Sequence, residues 1–246
     1  MRRLMIRSVA VSCLPSVLGF GLLLAWISIA SSAPAPEAKA QSVRTLYLVR
    51  HGDYDQDDPR DPDIGKALVP LGREHARLVA ARLAALPVRF GSLHASSMTR
   101  ARETATIIAA ALPALEPRIT SDLRECTPPT RREDVMRGLE PGEADSCRVQ
   151  LEGAFARYFR PAPEADAADL LICHGNVIRY FCCRALGVDP AAWLGMTIAN
   201  CSLTVIQVRA DGSMRLVSFD DVGHLPPALQ TYTGRKPAPA DSSPRR

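Results

Sequence analysis

Two strand-like runs in this chain end in a histidine. Leu46-Tyr47-Leu48-Val49 leads into Arg50-His51-Gly52, and Leu170-Leu171-Ile172-Cys173 leads into His174-Gly175, after which a helical pattern begins. A buried strand that surfaces in this way is where α/β enzymes place reactive groups. Between the two, Ser96-Ser97-Met98-Thr99-Arg100 carries a strand from about Leu93 into a helix that opens with an arginine. An imidazole flanked by guanidinium groups meets the two demands of phosphate monoester hydrolysis, a nucleophile and stabilisation of charge on the transferring group. His51 is expected to attack phosphorus through one ring nitrogen while a backbone acceptor holds the other and fixes the tautomer. Neighbouring positive charge should keep that ring neutral. Arg50 and Arg100 suit the equatorial oxygens because a planar guanidinium pairs phosphate bidentately and stays charged. His174, at a helix start, can donate to the same oxygens with the helix dipole in its favour.

The elements that must hold these residues follow from periodicity. Leu71, His75, Leu78, Val79, Arg82, Leu83 and Leu86 recur at helical spacing, with Pro70 suited to a first turn. Further helices are expected over residues 99–112, 144–159 and 177–186, and residues 202–208 and 214–219 flank Asp211-Gly212 as a hairpin. Strands alternating with helices predict a layered α/β fold. Residues 127–142 are rich in Pro and Arg without periodicity and read as a long loop roofing the site.

With Pro70-Leu71-Gly72-Arg73-Glu74, Leu123-Arg124-Glu125 and Ile172-Cys173-His174-Gly175-Asn176-Val177-Ile178-Arg179-Tyr180, these pieces resemble the histidine phosphatase superfamily, once named for phosphoglycerate mutase. Within it they are most similar to phosphoglycerate mutase family member five, a group of serine/threonine-protein phosphatases. The resemblance runs from about Arg44 to Pro227. It implies a phosphoglycerate mutase-like fold, a three-layer α/β/α sandwich on a mostly parallel sheet. It further implies a phosphohistidine on His51, Glu125 as the group that gives and takes the proton, Arg50, Arg100 and His174 on the phosphoryl group, and no cofactor or metal. Without it Glu125 is one surface acid among many. The chain continues from Gly52 with Asp53-Tyr54 where mutases of this superfamily have Glu-Ser, which argues against mutase activity; it also lacks the Arg-x-x-Pro of the histidine acid phosphatases and phytases. Val69 stands where a threonine usually caps the first helix.

The expected substrate is phosphoserine or phosphothreonine in proteins. Two alternatives stay open: a small phosphomonoester, and, in another class, phosphate recognition without turnover. A binder needs neither nucleophile nor acid, so the intact set of Arg50, His51, Arg100, Glu125 and His174 argues against the last.

The formal net charge is +4, yet residues 1–40 and residues 235–246 each carry four basic residues against one acid, leaving the stretch between them at −2. That gives no support to nucleic-acid binding. Residues 1–40 open with Arg2 and Arg3 and continue without a charge from Ser8 to Pro36, which reads as a signal peptide or membrane anchor. An exported, periplasmic or membrane-anchored enzyme is therefore expected, with membrane contact only through that segment, a phosphatase domain over 41–227 and a disordered Pro/Ser/Arg-rich tail over 228–246. Cys126 and Cys147 bracket the roofing loop, and in an oxidising compartment they are expected to pair. Cys173, Cys182, Cys183 and Cys201 lie in apolar runs and read as small hydrophobes. His75, His94 and His224 read as structural, Arg102 as solvating the far face of its helix, and Asn176 and Ser202 as support near the pocket.

Overall fold

Alternation of apolar side chains along the strands decides which helices lie on which face. In the computed structural model, which describes residues 42–232, the elements run β1 (Arg44–Arg50), α1 (Pro70–Ala85), β2 (Ser92–Ser96), α2 (Thr99–Ala111), β3 (Pro117–Thr120), α3 (Glu133–Met136), α4 (Glu143–Tyr158), β4 (Ala167–Cys173), α5 (Gly175–Leu186), β5 (Leu203–Val208) and β6 (Met214–Asp221). Three 3₁₀ turns, Ser121–Leu123, Pro190–Gly195 and Pro227–Leu229, complete the description. The six strands form one sheet in the order β3-β2-β4-β1-β5-β6. The first four of these are parallel, β5 pairs antiparallel with β1, and β6 pairs antiparallel with β5.

Because successive side chains on a strand point to opposite faces, β1 sends Leu46 and Leu48 one way and Val49 the other, while β4 divides Leu171 and Cys173 from Leu170 and Ile172. Val79 and Leu83 of α1 and Ala105 and Ile108 of α2 cover the face that carries Val49, Leu170 and Ile172. Leu151 and Ala154 of α4 and Val177 and Phe181 of α5 cover the face that carries Leu46, Leu48 and Leu171. The result is a three-layer α/β/α sandwich on a mostly parallel sheet. Burying each Leu, Ile, Val or Phe contributes about 1.5–3 kcal/mol, so a charged side chain at Leu48 or Leu171 would unseat the α4 and α5 layer.

Three features depart from the expectations. Strand β3 was not anticipated: it opens on a proline, is four residues long, sits at the sheet edge and leaves Ile119 exposed, so it carries no periodic signal. The roofing segment is not wholly irregular, since it contains α3, whose N-terminal residues Glu133 and Asp134 suit a helix dipole. The boundary at 227 falls short as well. The chain stays ordered through Tyr232, because Leu229 O takes a hydrogen bond from His75 Nε2 (2.5 Å), buried Thr231 donates to Asn200 Oδ1 (3.0 Å) and Tyr232 bridges Ala199. The remainder of the expected tail lies outside the described residues.

Candidate active site

Each of the four parallel strands delivers a residue at its C-terminal end, the crevice where such sheets bind ligands. Strand β1 ends in Arg50 and His51, β2 turns into α2 with Arg100 in its first turn, β3 leads through a 3₁₀ turn to Glu125, and β4 gives His174 just before α5. Arg50 pairs with Cys173 in the β1–β4 register, and the His51 N–H donates to Cys173 O at 3.0 Å. The two histidines therefore follow side by side, with ring centroids 5.0 Å apart.

His51 is fixed in one tautomer. Its Nδ1 lies 2.7 Å from Gly52 O, and a carbonyl can only accept, so Nδ1 carries the proton. Nε2 is left as the lone pair, and Arg100 Nε donates to it at 3.1 Å. Burial lowers the His51 pKa well below the ordinary histidine value, and the charges of Arg100 and Arg50 push the same way. His174, also fully buried, is lowered by burial and by the same two arginines; its Nε2 meets Ser96 Oγ at 2.8 Å. Arg50 is anchored by a 2.6 Å bond from Nη1 to Ile198 O. The loop behind His51 rests on two glycines. A Cβ on Gly52 would overlap the Gly72 carbonyl, and one on Gly72 would overlap Asp53 O, so both positions require glycine for backbone approach alone.

Glu125 accepts from the Asn176 N–H through Oε1 at 3.2 Å. Burial raises its pKa above the ordinary carboxylate value, while Arg50, Arg100 and Arg179 oppose that rise. Its neighbour Cys126 is disulfide-bonded to Cys147 of α4, with Cα atoms 5.6 Å apart. The cleft encloses about 740 Å³ and brings together Arg50, His51, Arg100 and Glu125. Among the other lining residues are three that had been given no role, Tyr54, Arg179 and Tyr232. Tyr54 stands edge-on to His51 with centroids 5.1 Å apart, and the Arg100 guanidinium lies 4.6 Å from its ring centre. A carboxyl whose hold on its proton is strengthened by burial, an imidazole with its lone pair on Nε2 and two guanidinium groups together can move a phosphoryl group onto nitrogen and protonate what leaves.

The remaining candidates lie elsewhere. His94 packs edge-on against Tyr158, and His224 meets Arg82 and Cys201 O. Cys173, Cys182, Cys183 and Cys201 are free and buried. Asn176 lines the cleft, whereas buried Ser202 does not. Arg102 does not solvate a far face: its Nη2 donates to Asp63 O at 2.8 Å, because residues 53–69 fold back over the start of α2. Arg124 pairs with Asp63 and donates to Ser97 Oγ (3.2 Å), and the Leu68 N–H donates to Glu103 (2.8 Å), so the same loop is pinned at several points.

A family model for the histidine phosphatase superfamily (branch 1) matches residues 46–130 and 148–221. The mitochondrial serine/threonine-protein phosphatase Pgam5 of Caenorhabditis elegans is 40% identical over 203 residues, covering 80% of this chain and 69% of that protein. The Xenopus tropicalis relative of the same name is 38% identical over 195 residues, covering 77% and 68%. Among solved structures, a phosphoglycerate mutase from Plasmodium falciparum superposes with a TM-score of 0.53 at 28% identity, covering 75% of this chain and 95% of that one. The α-ribazole phosphatase from Shigella flexneri reaches 0.57 at 17% identity, covering 72% and 96%, a likeness of fold. These relatives correct the expectation of an exported, periplasmic or membrane-anchored enzyme, since the proteins that share its domain are named as mitochondrial. Among the described residues no helix is long and apolar enough to cross a membrane, and residues 1–40, on which that expectation rested, lie outside them.

Proposed function

The chain belongs to the histidine phosphatase superfamily and is a phosphatase, and on that premise we propose that it hydrolyses phosphoserine and phosphothreonine esters in proteins through a phosphohistidine on His51. The observation that carries this reading is the locked tautomer, with Nδ1–H on Gly52 O and Nε2 turned to Arg100. Nε2 attacks phosphorus along the lone pair; the P–N bond forms as the bond to the serine oxygen breaks. Arg50, Arg100 and His174 hold the equatorial oxygens, and Glu125, whose pKa is raised by burial, gives a proton to the departing alkoxide. In the second half the Glu125 carboxylate takes a proton from water, the resulting hydroxide attacks phosphorus, and inorganic phosphate leaves as the P–N bond breaks.

Support for a protein substrate comes from the names of the relatives at 34–40% identity. The catalytic unit on this reading comprises residues 42–232, because Tyr232 is part of the cleft wall. Rapid mixing with a phosphothreonine peptide, followed by an alkaline quench that preserves phosphohistidine, tests the chemistry: the mass increment should fall on the His51 peptide. A labelled peptide elsewhere, or none during steady turnover, defeats the mechanism. Side-by-side kcat/KM values for phosphopeptides, sugar phosphates and nucleotides test the substrate, and a clear preference for either small class would replace the protein reading.

A further inference from the structure

Arg179, in the second turn of α5, is tied down at every part of its side chain. Nε donates to Gly175 O at 3.1 Å, Nη1 to Met196 O at 3.0 Å and Nη2 to Asn176 Oδ1 at 2.6 Å. Its plane lies over the Trp193 ring, 4.7 Å from the centre, and Trp193 in turn donates through Nε1 to Pro128 O and Pro129 O at 3.3 and 3.2 Å. An arginine so committed is a fixed strut. It joins the start of α5, the Pro190–Gly195 turn with the wall beyond it, and the roofing segment that follows Glu125.

What the strut orients is Asn176. A primary amide has a donor end and an acceptor end, and little in its shape distinguishes them. With Arg179 on Oδ1, the Nδ2 end is turned to Cys126 O at 2.9 Å, while the backbone N–H of the same residue donates to Glu125 Oε1 at 3.2 Å. One residue thus grips both the Glu125 carboxyl and the backbone immediately after it, and Arg179 sets which way that grip faces. Lysine could not make the same fork and stack, because its ammonium is a point charge without a plane.

We infer that Arg179 is a positioning residue for proton transfer by Glu125, acting through Asn176. This rests on the reading of Glu125 as the proton donor. Its consequence is selective. A nitrophenolate leaves phosphorus with little help from an acid, whereas a serine alkoxide needs a proton as it departs. Loss of a well-placed donor therefore slows alkyl esters more than activated aryl esters, whereas loss of fold or of phosphate binding slows both alike.

The test compares kcat/KM for p-nitrophenyl phosphate and a phosphoserine peptide in wild type, Glu125→Gln, Arg179→Met and Arg179→Lys, using the full chain. General acid catalysis contributes about 10²–10⁴-fold, so Glu125→Gln should lose at least about tenfold more on the peptide than on the aryl ester. Arg179→Met is expected to show the same kind of split, again about tenfold or more, along with some loss on both substrates. Arg179→Lys, which keeps charge and length if the methionine variant does not fold, should show the split too, because it lacks the fork. A split in Glu125→Gln with equal losses on both substrates in the Arg179 variants overturns the positioning role alone. No split in Glu125→Gln overturns the proton-donor reading and the positioning role with it.

Discussion

His51 is held neutral by burial and by two guanidinium groups while a carbonyl claims its only proton, so a single lone pair is left to react. His51→Ala should abolish turnover of both aryl and alkyl esters, and a variant retaining most of its rate would refute the nucleophile. Arg100→Ala should lose about 10²-fold or more in kcat, the scale of removing one preorganised charge stabiliser, measured on p-nitrophenyl phosphate; a loss under about threefold would place Arg100 outside the transition state, on that same scale. The positions of Arg50, His51 and His174 were legible in the sequence because each sits where an apolar run ends, and that of Arg100 because it opens a helix just after a strand. Glu125 was not legible in that way and came only from the likeness to a family. Tyr54 was missed because it reaches His51 only after residues 53–69 double back, with the Asp55 N–H on Ala67 O at 2.9 Å and Tyr54 bridging Leu68. Arg179 did leave a trace, since it stands three residues after Asn176 on one helix, a spacing that places side chains together.

At the scale of elements, the cysteine bridge joins the segment after β3 to the buried face of α4, and Cys147 is only 3% exposed there. The sequence separation of 21 residues corresponds to roughly 3 kcal/mol of lost unfolded-state freedom. The double variant Cys126→Ala, Cys147→Ala should therefore unfold at a distinctly lower denaturant midpoint than the oxidised protein, by an amount equivalent to about 3 kcal/mol. An unchanged midpoint would mean that the bridge contributes nothing to stability. The same elements show what patterning reveals and what it hides. The helices α1, α2, α4 and α5 and the β5–β6 hairpin carry long apolar periodicity and fall within a few residues of where it placed them. Strand β3 and helix α3 are too short and too polar to carry any, and β3 forms because β2 gives it a partner at the sheet edge.

For the molecule as a whole, the direction of five histidine shifts is the same: His51, His75, His94, His174 and His224 all have lowered pKa values, with burial the largest cause in each. In the unfolded chain each takes up a proton as pH falls through about 6.5. The folded protein resists until lower pH, so below that value the unfolded state binds more protons and folding stability falls. For the three that are essentially inaccessible, His51, His75 and His174, each can contribute up to about 1.4 kcal/mol per pH unit below the unfolded value. The raised carboxyls of Glu125 and Asp220 act in the opposite sense, but from nearer the carboxylate range. Melting temperature should accordingly be lower at pH 5.5 than at pH 7.5, by calorimetry in matched ionic strength. A melting temperature equal or higher at pH 5.5 would show that the buried rings already carry protons in the folded state.

The contact between Gly52 and Gly72 has a further meaning when it is put in terms of inheritance rather than distance. Neither glycine lines the cleft, yet each occupies a place where a side chain would run into the other segment's backbone. A complete substitution scan should score both as intolerant as His51, so intolerance at these positions records a contact and not a chemical role. Most packing pairs can drift together, one side chain shrinking as its neighbour grows. This pair has no such path, because nothing smaller than glycine exists to make room.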